Sequence, residues 1–285
     1  IVPPRQSLTI LGLGGSIGTP AGGVEAEVIV VSSFMDLRAR AAEVKGRIVL
    51  FNSPFTTYRD SVTYRTSGAR AASQLGAVAA LVRSIGPTGL GTPHTGSLQY
   101  GRGVVPIPAA AVAAEDADRI ARLRARGVPV RVRLTMGARS EADVESANVV
   151  GEIRGRERPE EIVLLGGHLD SWDVGTGASD DAVGCIVTWE AGRLMMKLGL
   201  RPRRTVRIVL WTNEENGLRG ATAYAAKYGS SAHAHVLAVE SDSGVFDPAS
   251  IGFSGSDAAR SVVRDIGTLL TPIGLGEIAG GGGGA

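Results

Sequence analysis

Apolar residues fall in short blocks along this chain, and the blocks change character near residue 146. Between about residues 22 and 140 they are β-type runs separated by turns: VEAEVIVV (24–31), RIVLF (47–51), AVAALVR (77–83), VPIPAAAV (105–112) and VPVRVRLTM (128–136). The last alternates, with Val128, Val130, Val132 and Leu134 to one side and Arg131 and Arg133 to the other, the period of a half-buried strand. LTILGLG (8–14) predicts a further strand entering a glycine turn. Two helices fit this half, around 66–76 and 115–126. The second, EDADRIARLRAR, starts acidic and ends basic, as a helix dipole favours, and Gly127 stops it.

From residue 146 the pattern becomes strand–loop–helix. Ile162-Val163-Leu164-Leu165 predicts a buried strand. A helix follows from about 182, with Val183, Ile186, Val187, Ala191, Leu194, Met195 and Leu198 at spacings of three and four, so its methionines are expected to fill core. TVRIVLW (205–211) predicts a second strand, a helix begins near 216, and HVLAV (235–239) predicts a third strand. Apolar strands alternating with helices imply an α/β fold with a mixed, largely parallel sheet flanked by helices.

Composition narrows the function. With 44% hydrophobic residues among 285 the chain can bury a sizeable core, and no apolar run reaches the ~18 residues of a membrane span. Thirty basic against 28 acidic residues leave a net charge of +2, so nothing argues for a nucleic-acid or anionic-membrane partner. Cys185 is the single cysteine, which excludes an intramolecular disulfide and a thiolate-rich zinc finger. Gly12, Gly14 and Gly18 miss the G-x-G-x-x-G spacing, with Ile17 where the third glycine would fall, so no dinucleotide site is expected. His94, the one histidine of the first half, is expected on a solvated loop, as are His233 and His235 in a solvated turn before the third strand.

Chemistry gathers where the three later strands end. The first ends in Gly166-Gly167-His168-Leu169-Asp170, the second in Thr212-Asn213-Glu214-Glu215, and the third in Glu240-Ser241-Asp242; Asp180 lies in the loop after the first. In open α/β sheets ligands bind beyond the carboxyl ends of strands, so these side chains are expected in one cleft. Imidazole with carboxylates suits zinc, whereas an all-oxygen set would suit magnesium or calcium. Asp170 is expected to accept the N–H of the His168 ring, turning the other nitrogen to the metal. The donor set suggests two metals: Asp180 bridges, His168 and Asp242 complete one site, and Glu215 belongs to the other. Glu214 is then the spare carboxylate, placed to take a proton from water and pass it to a leaving amine.

The motifs GGHLDSWD, GASDDA, VLWTNEE and ESDSG resemble those of the co-catalytic zinc exopeptidases of the aminopeptidase and glutamate carboxypeptidase type. HLDSWD and LGLGGSIGTP are the most specific of these signals and point to its carboxypeptidase branch. The resemblance implies two Zn2+ ions, with His168, Asp180 and Asp242 on one, Asp180 and Glu215 on the other, Glu214 as general base, and a cis peptide between Asp180 and Asp181. It implies hydrolysis of dipeptides or short peptides with free termini, a homodimer, and a secreted or lysosome-like setting. It further implies three regions: 1–21 as a leading strand and linker of the peptidase domain, 22–142 as an inserted β-rich protease-associated domain, and 143–285 as the zinc peptidase domain.

The family's second zinc takes a further histidine toward the C-terminus, and no histidine follows Asp242 in this sequence. The chain begins at Ile1 and ends in Gly280–Gly284 and Ala285, read as a flexible tail without a closing helix or strand. Both observations predict a piece of a longer protein with an incomplete exopeptidase fold. Aminopeptidase specificity stays open beside carboxypeptidase specificity, and two other functions compete. A single-zinc glutaminyl cyclase is disfavoured by the Glu214-Glu215 pair, and a binding module that has lost catalysis is disfavoured by the retained donors.

Overall fold

The computed structural model describes residues 6–242 and 249–281; the side chains of Ser230, Ala232 and His233 also lie outside the description. The chain forms two compact units, Ile1–Asp143 and Val144–Ala285.

The first unit holds a six-stranded sheet in the order β1-β5-β4-β3-β2-β6. Its elements are β1 (Ile10–Gly12), β2 (Val24–Val31), α1 (Phe34–Ala39), β3 (Ile48–Phe51), α2 (Tyr58–Gln74), β4 (Ala79–Arg83), β5 (Ala109–Val112), α3 (Ala114–Ala125) and β6 (Arg131–Leu134). Strands β2 to β5 pair in parallel, and β6 pairs antiparallel with β2. The strand expected to lead the peptidase domain, β1, instead pairs antiparallel with β5 in this sheet. Helices cover both faces, which is why the central strands read as unbroken apolar runs. On one face Leu37, Ala69 and Ala72 of α1 and α2 pack on Val31, Val49, Phe51 and Val82. On the other, Ala117 and Ile120 of α3 pack on Val28, Ile48, Leu50 and Leu81. Helix α2 starts eight residues earlier than its periodicity predicted. The missed signal was Thr57, whose hydroxyl accepts the Asp60 N–H at 3.2 Å and caps the helix.

The second unit contains β7 (Val149–Ile153), β8 (Arg158–His168), α4 (Val183–Lys197), β9 (Arg204–Trp211), α5 (Arg219–Tyr228), β10 (His235–Glu240), β11 (Ser250–Phe253), α6 (Asp257–Leu270) and β12 (Glu277–Gly280). Its main sheet runs β10-β8-β9-β7, and β11 and β12 form a separate parallel pair. β8 is parallel to both β9 and β10, with His168 opposite Trp211 and Gly166 opposite Glu240. That register brings three carboxyl ends to one edge. Strand β7 is antiparallel to β9, so the fold is mixed, largely parallel α/β.

Three expectations are corrected in this unit. Helix α4 faces the sheet with Gly184, Cys185, Thr188 and Gly192, while Ile186, Val187, Leu194 and Leu198 are exposed. Gly192 explains the close approach, since a Cβ there would collide with Ile208. Met195 is half-buried and Met196 is exposed, so the methionines do not fill core. His235 opens β10 and bonds the Tyr224 hydroxyl at 2.8 Å, in edge contact with Tyr224 and Tyr228, rather than sitting in a solvated turn. The chain end carries strand β12 up to Gly280, and only 282–285 of the expected tail fall outside the description. Among the described residues no helix is long and apolar enough to cross a membrane.

Candidate metal centre

The sequence packs His168 by removing side chains around it. A Cβ on Gly166 would stand 2.6 Å from the Trp211 indole nitrogen, and one on Gly167 would stand 2.6 Å from the Cys185 backbone nitrogen. With glycine at both positions, strand β8 lies tight against β9 and the start of α4. His168 is consequently only 1% exposed.

Two hydrogen bonds fix it. Its backbone N–H donates to Asp181 Oδ2 at 2.8 Å, and its ring Nδ1 lies 2.8 Å from the Asp170 carbonyl oxygen. A carbonyl only accepts, so Nδ1 carries a proton and Nε2 faces the acids. Nε2 lies 3.0 Å from Asp180 Oδ1, 3.2 Å from Asp242 Oδ1 and 4.0 Å from Glu214 Oε2. The structure therefore brings together His168, Asp180, Glu214 and Asp242. Glu215 joins them through a cluster in which ligand atoms of His168, Asp180 and Glu215 all lie within 4.8 Å of one another.

Asp170 behaves differently from expectation. Its carboxylate is 3.9 Å from the His168 ring and instead accepts the backbone N–H groups of Glu214 at 2.8 Å and Glu215 at 3.2 Å. The carboxylate is drawn to two adjacent amides of the turn after β9, and the ring is left to the carbonyl of the same residue.

Asp181 was not singled out from the sequence as a site residue. It is 1% exposed, and its two oxygens accept the N–H groups of His168 and Gly184, the latter at 3.0 Å. Its peptide bond to Asp180 is cis. Asp181 also lies within ligand distance of His168 and Asp242, but both its oxygens already hold backbone amides that tie β8 to the first turn of α4. An acid just before a helix whose carboxylate accepts an N–H of the first turn follows the usual N-terminal capping chemistry, and that was the available signal. Gly184 cannot carry a side chain, because a Cβ would run into the Ser241 carbonyl and the Asp181 carboxylate.

The electrostatics describe acids crowded around one base. Burial lowers the His168 pKa, but the Asp170 carbonyl and the charges of Asp242, Glu214 and Asp181 outweigh it and raise the ring to about 9. Burial raises Glu215 to about 7, aided by Asp180 and Glu214. Glu214, Asp242 and Asp181 are also pushed up, by burial first. Without a cation, the proton on Nε2 stands where the acids converge. A dication there would relieve the same repulsion and take the imidazole lone pair. With zinc–ligand bonds of about 2.0–2.1 Å, tetrahedral ligand atoms sit roughly 3.4 Å apart, close to the separations at Nε2. Imidazole nitrogen with carboxylate oxygens is also a zinc-type donor set, so the residues fit the ion.

The sequence profile of Peptidase family M28 matches residues 148–276. The chain is similar to carboxypeptidase Q of Mus musculus, 46% identical over 276 residues, covering 97% of this chain and 59% of that protein. Carboxypeptidase Q of Xenopus laevis is 48% identical over 273 residues, covering 96% and 58%. The chain thus spans 58–59% of the length of these two relatives. Among solved structures, the Peptidase M28 precursor from Shewanella amazonensis SB2B aligns with a TM-score of 0.92 and 35% identity, covering 99% of this chain and 65% of that one. BSAP, a zinc aminopeptidase from Bacillus subtilis, shares the fold at a TM-score of 0.70 and 18% identity, covering 97% and 65%. Residues 148–276 therefore match peptidase family M28, and the chain is similar to carboxypeptidase Q over nearly its whole length.

Proposed function

We propose that the protein is a zinc-dependent exopeptidase that hydrolyses dipeptides or short peptides with free termini. The observation that carries this is the gathering of Asp180 and Asp242 within 3.2 Å of the buried His168 Nε2, from separate segments of the second unit. His168, Asp180 and Asp242 would hold one zinc, with Glu215 and Asp180 toward a second. The remaining histidine of that second site is expected outside this sequence. Bound zinc would polarise the scissile carbonyl and acidify a water. Glu214 is the base: half-buried near Nε2 but not needed as a ligand, it takes the proton of the attacking water and returns it to the leaving amine.

The first unit, with residues 22–142, is proposed as a protease-associated domain. A homodimer and a secreted or extracytoplasmic setting are proposed from family resemblance. Peptide is the expected substrate.

Glu214→Gln tests the central claim. Turnover of a dipeptide should fall by about 10²–10⁴-fold while zinc content stays at the wild-type level. Turnover retained at the wild-type rate excludes Glu214 as the base, and wild-type protein without zinc excludes the metallopeptidase assignment.

A further inference from the structure

The Asp170 carboxylate sits beside the site yet touches neither the imidazole nor any other acidic side chain at bonding distance. Its two oxygens instead accept two successive amides, Glu214 N–H at 2.8 Å and Glu215 N–H at 3.2 Å. These bonds connect the loop after β8 to the turn after β9. The rest of that turn is held through its carbonyls and through Thr212, whose N–H donates to Asn148 Oδ1 at 3.0 Å. Asn213 adopts a left-handed backbone with φ of 56°, and the other backbone bonds run from Gly217 and Leu218 to the Glu214 carbonyl, from Arg219 to the Asn213 carbonyl and from Gly220 to the Thr212 carbonyl, so that none of them engages the Glu214 or Glu215 N–H. The His168 ring does not need the carboxylate, since the Asp170 carbonyl already takes its Nδ1 proton at 2.8 Å.

We propose that Asp170 is a positioning residue for the Glu214–Glu215 pair, acting through their backbone amides and not through the imidazole. This rests on the exopeptidase function proposed above. One residue thereby serves two elements: its carbonyl sets the tautomer of His168, and its carboxylate sets the direction of the two glutamates. A carboxylate is needed because both partners are donors. An amide side chain offers one acceptor and would turn an NH2 group against the second N–H. Two charge-assisted bonds in a half-buried hollow hold the turn more firmly than neutral bonds would.

Hydrogen exchange on the metal-free wild-type protein gives the first test, independent of activity. Glu214 and Glu215 amides should be protected although no backbone carbonyl among the described residues receives them; exchange as fast as in an exposed loop overturns the proposal. Asp170→Asn in the zinc-loaded protein is the second. Protection at both amides should fall, and kcat on a dipeptide should drop by about 10–100-fold with KM unchanged. The imidazole 15N shifts of His168 should keep the wild-type tautomer, because the backbone carbonyl is untouched. A changed tautomer with both amides still protected would show that Asp170 acts on the ring and overturn the proposal, as would an unchanged kcat. If wild-type protein binds no zinc and cleaves no peptide, the exopeptidase function fails, while the exchange data still decide the clamp.

Discussion

The two units spend their deepest positions on different residues. In the first, every residue of β3 is at most 1% exposed and all four are apolar, sandwiched between helices on both faces. In the second, the apolar cluster is small, formed by Ile162, Leu164, Val209 and Trp211 with Ala221 and Tyr224 against it. Here the most deeply buried residues include His168 and Asp181, each 1% exposed, while Val236 and Val239 of β10 remain exposed. The first sheet is held by packing. The second leans on hydrogen bonds to the buried Asp181 and half-buried Asp170 carboxylates at the edge where its strands end, and it places charge where the first places phenylalanine and leucine. A site of this kind carries its own destabilising repulsion until a cation arrives.

The largest effect expected from this contrast lies in the first unit. Phe51→Ala removes a ring packed against Phe34, Tyr64 and Gly68, and should cost about 3–5 kcal/mol in the urea unfolding of that unit. Zinc affinity, measured by chelator competition, should stay at the wild-type value. A parallel loss of affinity would break the comparison.

Metal removal should act in the opposite place. Stripping zinc from protein held at 100-fold its dissociation constant should remove about 2.7 kcal/mol, read as a lower unfolding temperature for the second unit alone. Equal shifts in both units would contradict the division.

A third test reads the same point through pH. In metal-free protein Glu215 titrates at about 7 instead of its ordinary 4.5, so the folded state binds the proton more tightly than the unfolded chain. Stability therefore falls as pH rises from about 4.5 through 7. His168, raised from 6.5 to about 9, contributes stability that is full below 6.5 and is lost as pH rises through 9. Thermal unfolding of the metal-free second unit should thus weaken steadily from pH 5 to 9, by roughly one step per group. With zinc bound this slope should flatten or reverse, because ligands must be deprotonated. A metal-free unit more stable at pH 9 than at pH 5 would refute the crowding.

Much of this site was legible in advance because its signals are local. A buried strand announces itself by a run such as Ile162 to Leu165, and the ligand-type residues follow within a few positions: His168 after β8, Glu214 and Glu215 after β9, Asp242 after β10. What escaped depended on distance across the fold. The Asp170 carboxylate could have met a ring two residues away or amides forty-odd residues away, and composition ranks neither. Asp181 read as the companion of Asp180 until its oxygens were seen on the amides of His168 and Gly184. His235 read as a turn histidine because nothing nearby in the sequence reveals Tyr224. In α4 the period was right but the face was not, since small residues rather than large ones allow a helix to approach a sheet closely.

The sequence by itself determined the type of the most strongly patterned elements, the largely parallel α/β class of the second unit and the acids and imidazole at its strand ends. Those follow from residue periodicity and from donor chemistry, both of which act over a few positions. Only the tertiary structure decided which oxygen each amide and ring nitrogen meets. That choice depends on the register of β8 with β9 and β10, and on the absent side chains of Gly167 and Gly184, which let a buried aspartate reach two backbones at once.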